Sequence, residues 1–415
     1  MALPPRLRST DRKSLLLGTA LASTLLIGSL LAPTPAAAQT TTCPGMPVLP
    51  GPTPIMDATA GNNQPIICAN DDPRTSNGTA PDAINLSTAG DDSFIDLYNS
   101  GVLTATDDGI YTLTSGDNSL ITIDNVGEVN AGRFGVAART FFADAVGDFG
   151  NAGIEIKNAG DIDAGSNAIY AYTLATAFGA HSDTGIIIEN DGDIAGSNGI
   201  RAVGFSYAYG TESNTRVAIV NRGNIEALYS GIFVGSYRGA IGARSTSGII
   251  IENEGNVVSR SSALYARTFG SAIGDYSDSS ITIINKGKIE TTYFGNAVIA
   301  AFSNGNANGV YSNNGIFIQN SGEISGQIGI GASKQFGGSN NRNSSTAIFI
   351  GNSGEIDVTD RGIAATNFQS NANADYSSAN IAIENFGTIT AGIDGIYSSA
   401  SGQANGRYSD KSIAI

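Results

Sequence analysis

The residues best suited to covalent chemistry lie side by side, in the sequence His181-Ser182-Asp183. These three residue types form the triad of many hydrolases, in which a histidine activates a serine and an acid orients the histidine. That geometry is assembled in space from separate segments, so three adjacent residues of one loop do not produce it. His181 is also the only histidine, and tyrosines that precede a serine take its place later in the chain: Tyr276, Tyr311, Tyr376 and Tyr408. We therefore interpret His181 as a loop residue.

A second candidate is a row of carboxylates at one position of a repeated phrase: Glu128, Asp161, Asp193, Glu323 and Glu355. If consecutive repeats stack, Asp161 lies about 5 Å from Asp193, a separation at which two carboxyl groups can act on a glycosidic bond. A polysaccharide lyase or glycosidase is therefore the catalytic alternative. Other residue types fill the same position elsewhere: Asn224, Asn256, Lys288 and Thr388. This mixture favours a solvated face and a protein that is not an enzyme, with no catalytic residue.

We expect no cofactor and no metal. One histidine and two cysteines cannot build a zinc site, and neither a Gly-Gly-x-Gly-x-Asp repeat nor an EF-hand loop is present. The segment 329–334 lacks the spacing of a phosphate-binding loop. The net charge of −15 repels phosphate backbones, so nucleic acid is not an expected partner either.

The elements that would position any site are set by a recurring phrase, Ile-x-Ile-x-Asn-x-Gly-x-Ile or a close variant. It returns at intervals of 31 to 35 residues. Its asparagines are Asn125, Asn158, Asn190, Asn221, Asn253, Asn285, Asn320, Asn352 and Asn385. A fixed period of this length is typical of stacked repeats, each too small to bury its own apolar face. The sequence predicts an all-β parallel solenoid of about ten circuits of ~32 residues, with three strands in each circuit.

Alternation within a repeat assigns the inward residues. Ile154 and Ile156 share one face of a first strand, Ile162 points inward from a second, and Ile169 from a third. In the repeat that follows Asn285, the corresponding third-strand residue is Val298. Branched aliphatic side chains suit such a pleated, buried interior.

Two polar rows accompany the aliphatic ones. The inward asparagines are predicted to form a ladder of side-chain amides, because an unpaired buried amide costs about 1–3 kcal/mol. A serine four residues before each first-strand isoleucine is predicted to hydrogen-bond the backbone of its own turn. These serines are Ser182, Ser213, Ser245, Ser277, Ser312, Ser344, Ser377 and Ser409.

Outward apolar residues suggest a possible binding face along the rod. They are Ile187, Ile250, Phe317 and Phe349 between the paired isoleucines, and Tyr170, Phe233, Tyr265 and Tyr397 on the third strand. Aromatic rings of this type stack on sugars or on proteins. The alternative is that long segments such as 174–180 fold back and cover these residues. The sequence leaves both readings open.

The N-terminal region has a different composition. Residues 1–38 are predicted to be a signal peptide, with a basic start, an apolar stretch over 15–32 and three alanines at the cleavage site. An uncleaved membrane anchor is the alternative. The only cysteines, Cys43 and Cys68, are predicted to form a disulfide in the exported protein. We expect residues 39–85 to be an irregular, cysteine-stapled cap and residues 86–415 to be the solenoid.

The repeated phrase, with the downstream Gly-Ile pairs at Gly199-Ile200, Gly231-Ile232 and Gly362-Ile363, resembles the passenger regions of bacterial autotransporters. The resemblance covers about residues 95–415. It implies a right-handed parallel β-helix, displayed on or shed from a Gram-negative cell and exported through an outer-membrane β-barrel of the full-length parent. Because the chain stops at Ser412-Ile413-Ala414-Ile415, the opening of a further phrase, we expect a longer parent and a truncation in mid-repeat.

These inferences together predict an exported, cell-surface or extracellular protein that works by adhesion or display. Its expected partners are glycans or proteins of a host or cell surface. Two alternatives remain open at this stage: the β-helix polysaccharide lyase or glycosidase, and an inert stalk whose activity lies in a further C-terminal part.

Overall fold

The computed structural model describes residues 54–59, 61–76, 80–292, 295–335, 337–368 and 370–415. The predicted signal peptide and Cys43 lie outside these residues. No helix in the described ranges is long and apolar enough to cross a membrane.

The described residues form thirty-five strands. The first twelve are β1 Ile55–Thr59, β2 Ile66–Asn70, β3 Arg74–Thr75, β4 Ile84–Ala89, β5 Phe94–Asn99, β6 Leu103–Ala105, β7 Ile110–Ser115, β8 Leu120–Asn125, β9 Val129–Ala131, β10 Val136–Phe141, β11 Asn151–Asn158 and β12 Ile162–Ala164. The next twelve are β13 Asn167–Leu174, β14 Asp183–Asn190, β15 Ile194–Gly196, β16 Asn198–Gly204, β17 Val217–Asn221, β18 Ile225–Ala227, β19 Ile232–Ser236, β20 Ile249–Asn253, β21 Val257–Ser259, β22 Leu264–Thr268, β23 Ile281–Asn285 and β24 Ile289–Thr291. The last eleven are β25 Ala297–Ser303, β26 Ile316–Asn320, β27 Glu323–Gly326, β28 Ile328–Gln335, β29 Ile348–Asn352, β30 Glu355–Val358, β31 Arg361–Phe368, β32 Ile381–Asn385, β33 Thr388–Ala391, β34 Asp394–Ala400 and β35 Ile413–Ala414.

Every third strand belongs to the same sheet, so the chain winds through three parallel sheets. Sheet A runs from β1 to β34, sheet B from β2 to β35 and sheet C from β3 to β33. Each strand pairs in parallel with its equivalents one circuit before and one circuit after. The predicted all-β parallel solenoid with three strands per circuit is therefore confirmed, with about 11 turns of ~32 residues.

The core is a set of aliphatic columns inside the three sheets. Ile154 of β11 pairs with Ile186 of β14, and Ile162 of β12 pairs with Ile194 of β15. These side chains are almost fully buried, and each such burial contributes roughly 1.5–3 kcal/mol. Like residues stack because parallel pairing without a register shift places the same repeat position directly above itself.

Strands begin earlier than the sequence indicates. β1, β2 and β3 lie within residues 39–85 and β4 begins at Ile84, so the prediction of an irregular cap is wrong for the first three strands and for the start of the fourth. In β2, Cys68 is buried in register with Leu97 of the next circuit, where later circuits carry isoleucine. Because isoleucine is absent from this position, the repeated phrase did not reveal this circuit. The stack is therefore longer than the expected ten circuits. Cys68 is disulfide-bonded; Cys43, its expected partner, lies outside the described residues.

In the longest repeat, the third strand (β25) pairs with its neighbours one residue later than the sequence predicts. Ile299, not Val298, pairs with Leu264 on one side and with Ile330 on the other. Asn285 and Asn320 are 35 residues apart, so three extra residues precede this strand. Val298 is buried as well, which explains why alternation alone did not separate the two.

The segment between a sheet A strand and the next sheet B strand forms a projection that we call the fin. Its first limb stacks through alanines, as in the bridges Ala177 to Ala208 and Ala208 to Ala240. Its two limbs are joined across the fin, since Thr215 Oγ1 donates to the carbonyl of Ser206 at 3.3 Å and Ser247 Oγ to that of Arg238 at 3.0 Å. Consecutive fins therefore stack like the circuits that carry them.

The serine row lies at the fin's turn and does what the sequence predicts. Each serine Oγ donates to the carbonyl three residues earlier, at 2.5 to 2.7 Å, from Ser182 with Gly179 to Ser409 with Gly406. The residue just before each serine has a left-handed backbone, with φ between 54° and 59°. These left-handed residues are His181, Glu212, Arg244, Tyr276, Tyr311, Asn343, Tyr376 and Tyr408.

Candidate functional site

The asparagines of the repeated phrase form a continuous ladder. Each Nδ2 donates to the Oδ1 of the next asparagine at 2.7 to 2.9 Å, from Asn70 through Asn99 and Asn125 to Asn385. The second amide proton is also used: Asn253 Nδ2 donates to the carbonyl of Gly255 at 2.8 Å. Almost all of these amides are buried away from water. The ladder gives each of them the hydrogen-bond partner that water would supply to an exposed amide. Its role is structural.

The row of carboxylates stabilises turns. Asp161 Oδ1 accepts the backbone N–H of Asp193 at 3.1 Å, and Asp193 Oδ1 accepts that of Asn224 at 2.9 Å. Further along, Lys288 Nζ lies 3.3 Å from Glu323 Oε2. Asp161, Asp193 and Lys288 thus each bond the turn of the following circuit. This arrangement explains why Asp, Asn and Lys can exchange at this position.

The same turns border an open groove of about 610 Å³. Lys288, Glu323 and Glu355 line it, with glycines and serines of the stacked turns, and Glu323 is in register with Glu355. Carboxylate and ammonium groups are therefore available in one groove. Here the expected acid row meets a concave surface.

A group of three carboxylates was missed by sequence reasoning. Asp82, Asp107 and Asp108 each contribute one carboxylate oxygen, and these three oxygens lie within 4.8 Å of one another. Arg133 contacts two of the three: its Nε and Nη2 lie 2.8 and 2.6 Å from the oxygens of buried Asp108, and its Nε lies 2.8 Å from Asp107 Oδ1. The hydrogen bond to Asp108 raises the pKa of Arg133 above its ordinary value. A guanidinium thus supplies the positive charge, and the cluster is explained as an ion pair across two circuits.

His181 does not take part in a triad. Its Nδ1 lies 3.2 Å from Glu212 Oε2, and its ring stacks on Phe149 at 5.1 Å. Ser182 Oγ donates instead to the carbonyl of Gly179 at 2.6 Å. The histidine lies in the left-handed column of the fin turns, where Tyr276 stacks on Tyr311 at 5.0 Å and Tyr376 on Tyr408 at 5.1 Å.

The possible binding face is divided between two sheets. Ile187, Ile250, Phe317 and Phe349 point outward from sheet B, and Tyr170, Phe233, Tyr265 and Tyr397 from sheet A. Most are half-buried and Tyr397 is exposed. Phe317 stacks on Phe349 at 5.1 Å and Phe233 on Tyr265 at 5.0 Å, both nearly parallel.

A second aromatic row, at the end of the sheet A strands, was not predicted. Consecutive ring centroids are 5.3, 5.7, 4.5 and 5.5 Å apart along Phe141, Tyr172, Phe205, Tyr237 and Phe269. The sequence signal is an aromatic residue five positions after Val136, Ile200, Ile232 and Leu264, the first inward residues of the third strands. Tyr172 interrupts this spacing, because it follows Ile169 by only three positions.

Arginines lie among these rings. The guanidinium of Arg201 is 5.4 Å from the ring centre of Phe233, that of Arg139 is 5.1 Å from Tyr170, and that of Arg267 is 4.2 Å from Phe269. Cation–π contacts of this kind stabilise by about 0.5–1 kcal/mol at exposed sites. Sheet A therefore presents an outer face of stacked rings and guanidinium groups.

One cation is enclosed at the base of the fin. Lys334 is fully buried, and its Nζ lies 2.6 Å from Asn314 Oδ1, 2.9 Å from the carbonyl of Gly305 and 3.2 Å from Ser303 Oγ. No carboxylate is among these partners, and burial lowers the pKa of Lys334 to about 7. Its column holds Thr268 and Ser303 in the two preceding circuits.

No protein-family model, no curated protein and no solved structure matches this chain.

Proposed function

We propose that this chain is a non-catalytic rod for adhesion or surface display, of the autotransporter-passenger type, and that it binds host or cell-surface glycans or proteins. The observation that supports this proposal most is the outer surface of sheets A and B, where aromatic rings recur in rows over several circuits. Half-exposed aromatic side chains supply large contact areas at low entropic cost and dominate the energetics of many interfaces.

The rod also meets a second requirement of a binding surface, which is rigidity. Phe233, Tyr265, Phe317 and Phe349 are carried by strands paired on both sides, and Phe205, Tyr237 and Phe269 directly follow such strands. All lie on sheets that enclose a core of stacked isoleucines and a continuous amide ladder. Such a surface is organised before the ligand arrives, so little free energy is lost in ordering it. Contacts repeated on successive circuits add up along the rod.

The adhesion proposal is tested by measuring how the labelled chain binds to intact cells and to glycan and matrix-protein arrays. We expect Phe317→Ser with Phe349→Ser, or Phe205→Ser with Tyr237→Ser, to weaken binding at least about tenfold. Phe386→Ser is the matched control, because Phe386 is 84% exposed and belongs to neither aromatic row. Equal loss in the control, or unchanged binding in both double variants, contradicts the proposal.

Export is part of the same proposal. Residues 1–38 have the pattern of a signal peptide, and an outer-membrane β-barrel is expected in the full-length parent. Mass spectrometry of the N-terminus in the cell-surface fraction tests this. A mature chain that begins near residue 39 supports export, and an intact chain that stays inside the cell contradicts it.

The catalytic alternative is kept because Glu323 and Glu355 lie in register beside a groove. A screen of polysaccharide turnover separates the two functions. Turnover that disappears with Glu323→Gln and Glu355→Gln, or with Asp161→Ala and Asp193→Ala, would establish an enzyme. Absent turnover favours the adhesion proposal or an inert stalk, and turnover that is unchanged by both pairs would place the catalytic residues elsewhere in the chain.

A further inference from the structure

Charge is divided unevenly between the sheets of this acidic rod. Two outward columns of sheet A run in register from β7 to β25. Their members are Tyr111, Ala137, Tyr170, Arg201, Phe233, Tyr265 and Ala300, and Leu113, Arg139, Tyr172, Val203, Gly235, Arg267 and Phe302. They contain three arginines and no carboxylate, in a chain with 37 acidic and 22 basic residues.

The three arginines lack acidic partners within the rod. None of the ion pairs among the described residues includes Arg139, Arg201 or Arg267. The Nε of Arg139 is enclosed and has no hydrogen-bond partner. Cation–π contacts hold these groups in place without neutralising them. Stacked rings also turn their edges outward, and ring edges carry partial positive charge.

Sheet C has the opposite character. Its outward column carries a carboxylate on every second strand: Asp163 on β12, Glu226 on β18, Glu290 on β24 and Asp357 on β30. Small or apolar residues separate them, namely Ala195, Val258 and Ser325. The four carboxylates also form no ion pair within the described residues.

The two faces have the same period. Arg139, Arg201 and Arg267 lie on β10, β16 and β22, which are alternate strands of sheet A. Cations on sheet A and anions on sheet C therefore both recur every two circuits, which is about 10 Å. Two parallel rods placed side by side, with Arg139 of one level with Asp163 of the other, also bring Arg201 level with Glu226 and Arg267 level with Glu290. Arg201 lies two residues nearer the start of its strand than the other two arginines. Because the spacing is even, the match holds over the whole length of roughly 19 Å from Arg139 to Arg267.

We propose that the arginine–aromatic face of sheet A docks on the acidic face of sheet C of a second copy of this chain. A second copy has the same distance between circuits, so complementary groups stay in register along both rods, whereas a partner with another repeat loses register within a few circuits. Docking places unpaired guanidinium groups against unpaired carboxylates, an arrangement that gives specificity and fixes the register of the two rods. The aromatic rings then pack against Ala195, Val258 and Ser325.

The contact is heterologous, because it joins two different faces. Sheet C of the first rod and sheet A of the second stay free, so association continues into bundles or closes into a ring. This side-by-side docking differs from end-to-end addition at strand edges, because end-to-end addition would involve neither the arginines of sheet A nor the carboxylates of sheet C. It also does not depend on adhesion to another ligand.

The test uses two variants of the full chain. One carries Arg139→Gln, Arg201→Gln and Arg267→Gln, and the other carries Asp163→Asn, Glu226→Gln, Glu290→Gln and Asp357→Asn. Sedimentation velocity over a concentration series measures association, and circular dichroism verifies that each variant is folded. We expect the original chain to associate, less so as ionic strength rises from about 0.05 to about 0.5 M, and each variant to associate at least about tenfold more weakly.

Mixing the variants gives the decisive result. The arginine variant keeps its acidic sheet C and the acid variant keeps its basic sheet A, so together they have one intact interface. We expect the mixture to form 1:1 complexes and nothing larger. A matched control with Arg244→Gln, Arg342→Gln and Arg407→Gln, all in the turns of the fin, should associate like the original chain.

Three results would overturn the proposal. They are an original chain that stays monomeric at its highest soluble concentration, variants that associate as tightly as the original chain, and a mixture that forms no complex. Polygalacturonate serves as a second probe. If the monomeric original chain binds this carboxylated polysaccharide and the arginine variant does not, sheet A is a site for anionic glycans instead.

Discussion

Arg74 holds the first rung of the asparagine ladder: its Nε donates to Asn70 Oδ1 at 2.8 Å. Every later amide oxygen accepts from the preceding asparagine, so all the side-chain dipoles point the same way and the oxygen end lies at Asn70. A guanidinium at that end satisfies the one acceptor that has no preceding circuit, and its positive charge faces the negative end of the aligned dipoles.

Replacing Arg74 with methionine should loosen the N-terminal circuits. Asn70 Oδ1 is then left without its partner, which costs about 1–3 kcal/mol for a buried acceptor. Because contacts in a solenoid reach only neighbouring circuits, the effect should stay local. Hydrogen exchange measures it: faster exchange in β2 and β5, unchanged exchange in β29, and partial recovery with Arg74→Lys. Uniform acceleration along the rod would contradict a local cap.

Asn253→Leu should destabilise the chain by about 1–3 kcal/mol. The substitution leaves the donor of Asn221 and the acceptor of Asn285 unpaired in the core. Asn256→Leu is the control, because Asn256 is exposed and its side chain donates to exposed Asn224 in the carboxylate row; its effect should stay within about 0.5 kcal/mol. Urea unfolding gives both values, and equal effects would count against a structural ladder.

Lys334 should make stability depend on pH. Its pKa falls from the ordinary 10.5 to about 7 because burial disfavours the ammonium form. Between these values the unfolded chain binds a proton that the folded chain does not, so stability rises as pH increases from about 7 towards 10.5, and the full penalty applies below 7.

The test compares the original chain with Lys334→Thr, since threonine is the residue of this column at Thr268. The difference in unfolding free energy between the two should change by about 1.4 kcal/mol for each pH unit between 7.5 and 9.5. Lys288→Thr, at an exposed ammonium, should show no such change. A difference that is constant with pH would disprove the buried, mostly neutral amine.

Replacing Tyr311 with glycine should destabilise the chain less than replacing it with alanine. Its φ of 56° is left-handed, a conformation that costs a residue with a Cβ about 1–2 kcal/mol. Both variants lose the stacking on Tyr276, but only alanine keeps the strain, so Tyr311→Gly should be about 1 kcal/mol more stable than Tyr311→Ala.

The matched pair is Tyr397, which lies in strand β34. There the order should reverse, with Tyr397→Ala more stable than Tyr397→Gly by about 0.5–1 kcal/mol, because glycine loses more entropy in a strand. Thermal unfolding of all four variants checks both orders. The same order at both positions would contradict a left-handed column.

The repeated phrase was enough to predict which residues stack. Ile154 and Ile186 occupy one repeat position, and a two-residue alternation places both inside, so pairing without a register shift follows directly. The serine turns followed for the same reason, since each bond is local. The first circuit was missed because Cys68 replaces an isoleucine, and Ile299 because extra residues shift the register.

Groups that meet across circuits without sharing a repeat position were not predictable. Arg133 reaches Asp108 one circuit earlier, and Lys334 contacts Asn314 on the opposite limb of the preceding fin. The sequence separations of 25 and 20 residues match no period of the chain. Only the path of the fin and of the corner between sheets brings these side chains together.

What the sequence alone determined is the repeating interior, because burial of aliphatic side chains and pairing of amides select one position per circuit and repeat that choice some 32 residues later. What only the tertiary structure decided is the exterior: which sheet carries rings and guanidinium groups, which carries carboxylates, and which charges remain unpaired. Outward side chains are not selected by burial, so their neighbours depend on how the three sheets and the fins are arranged around the core.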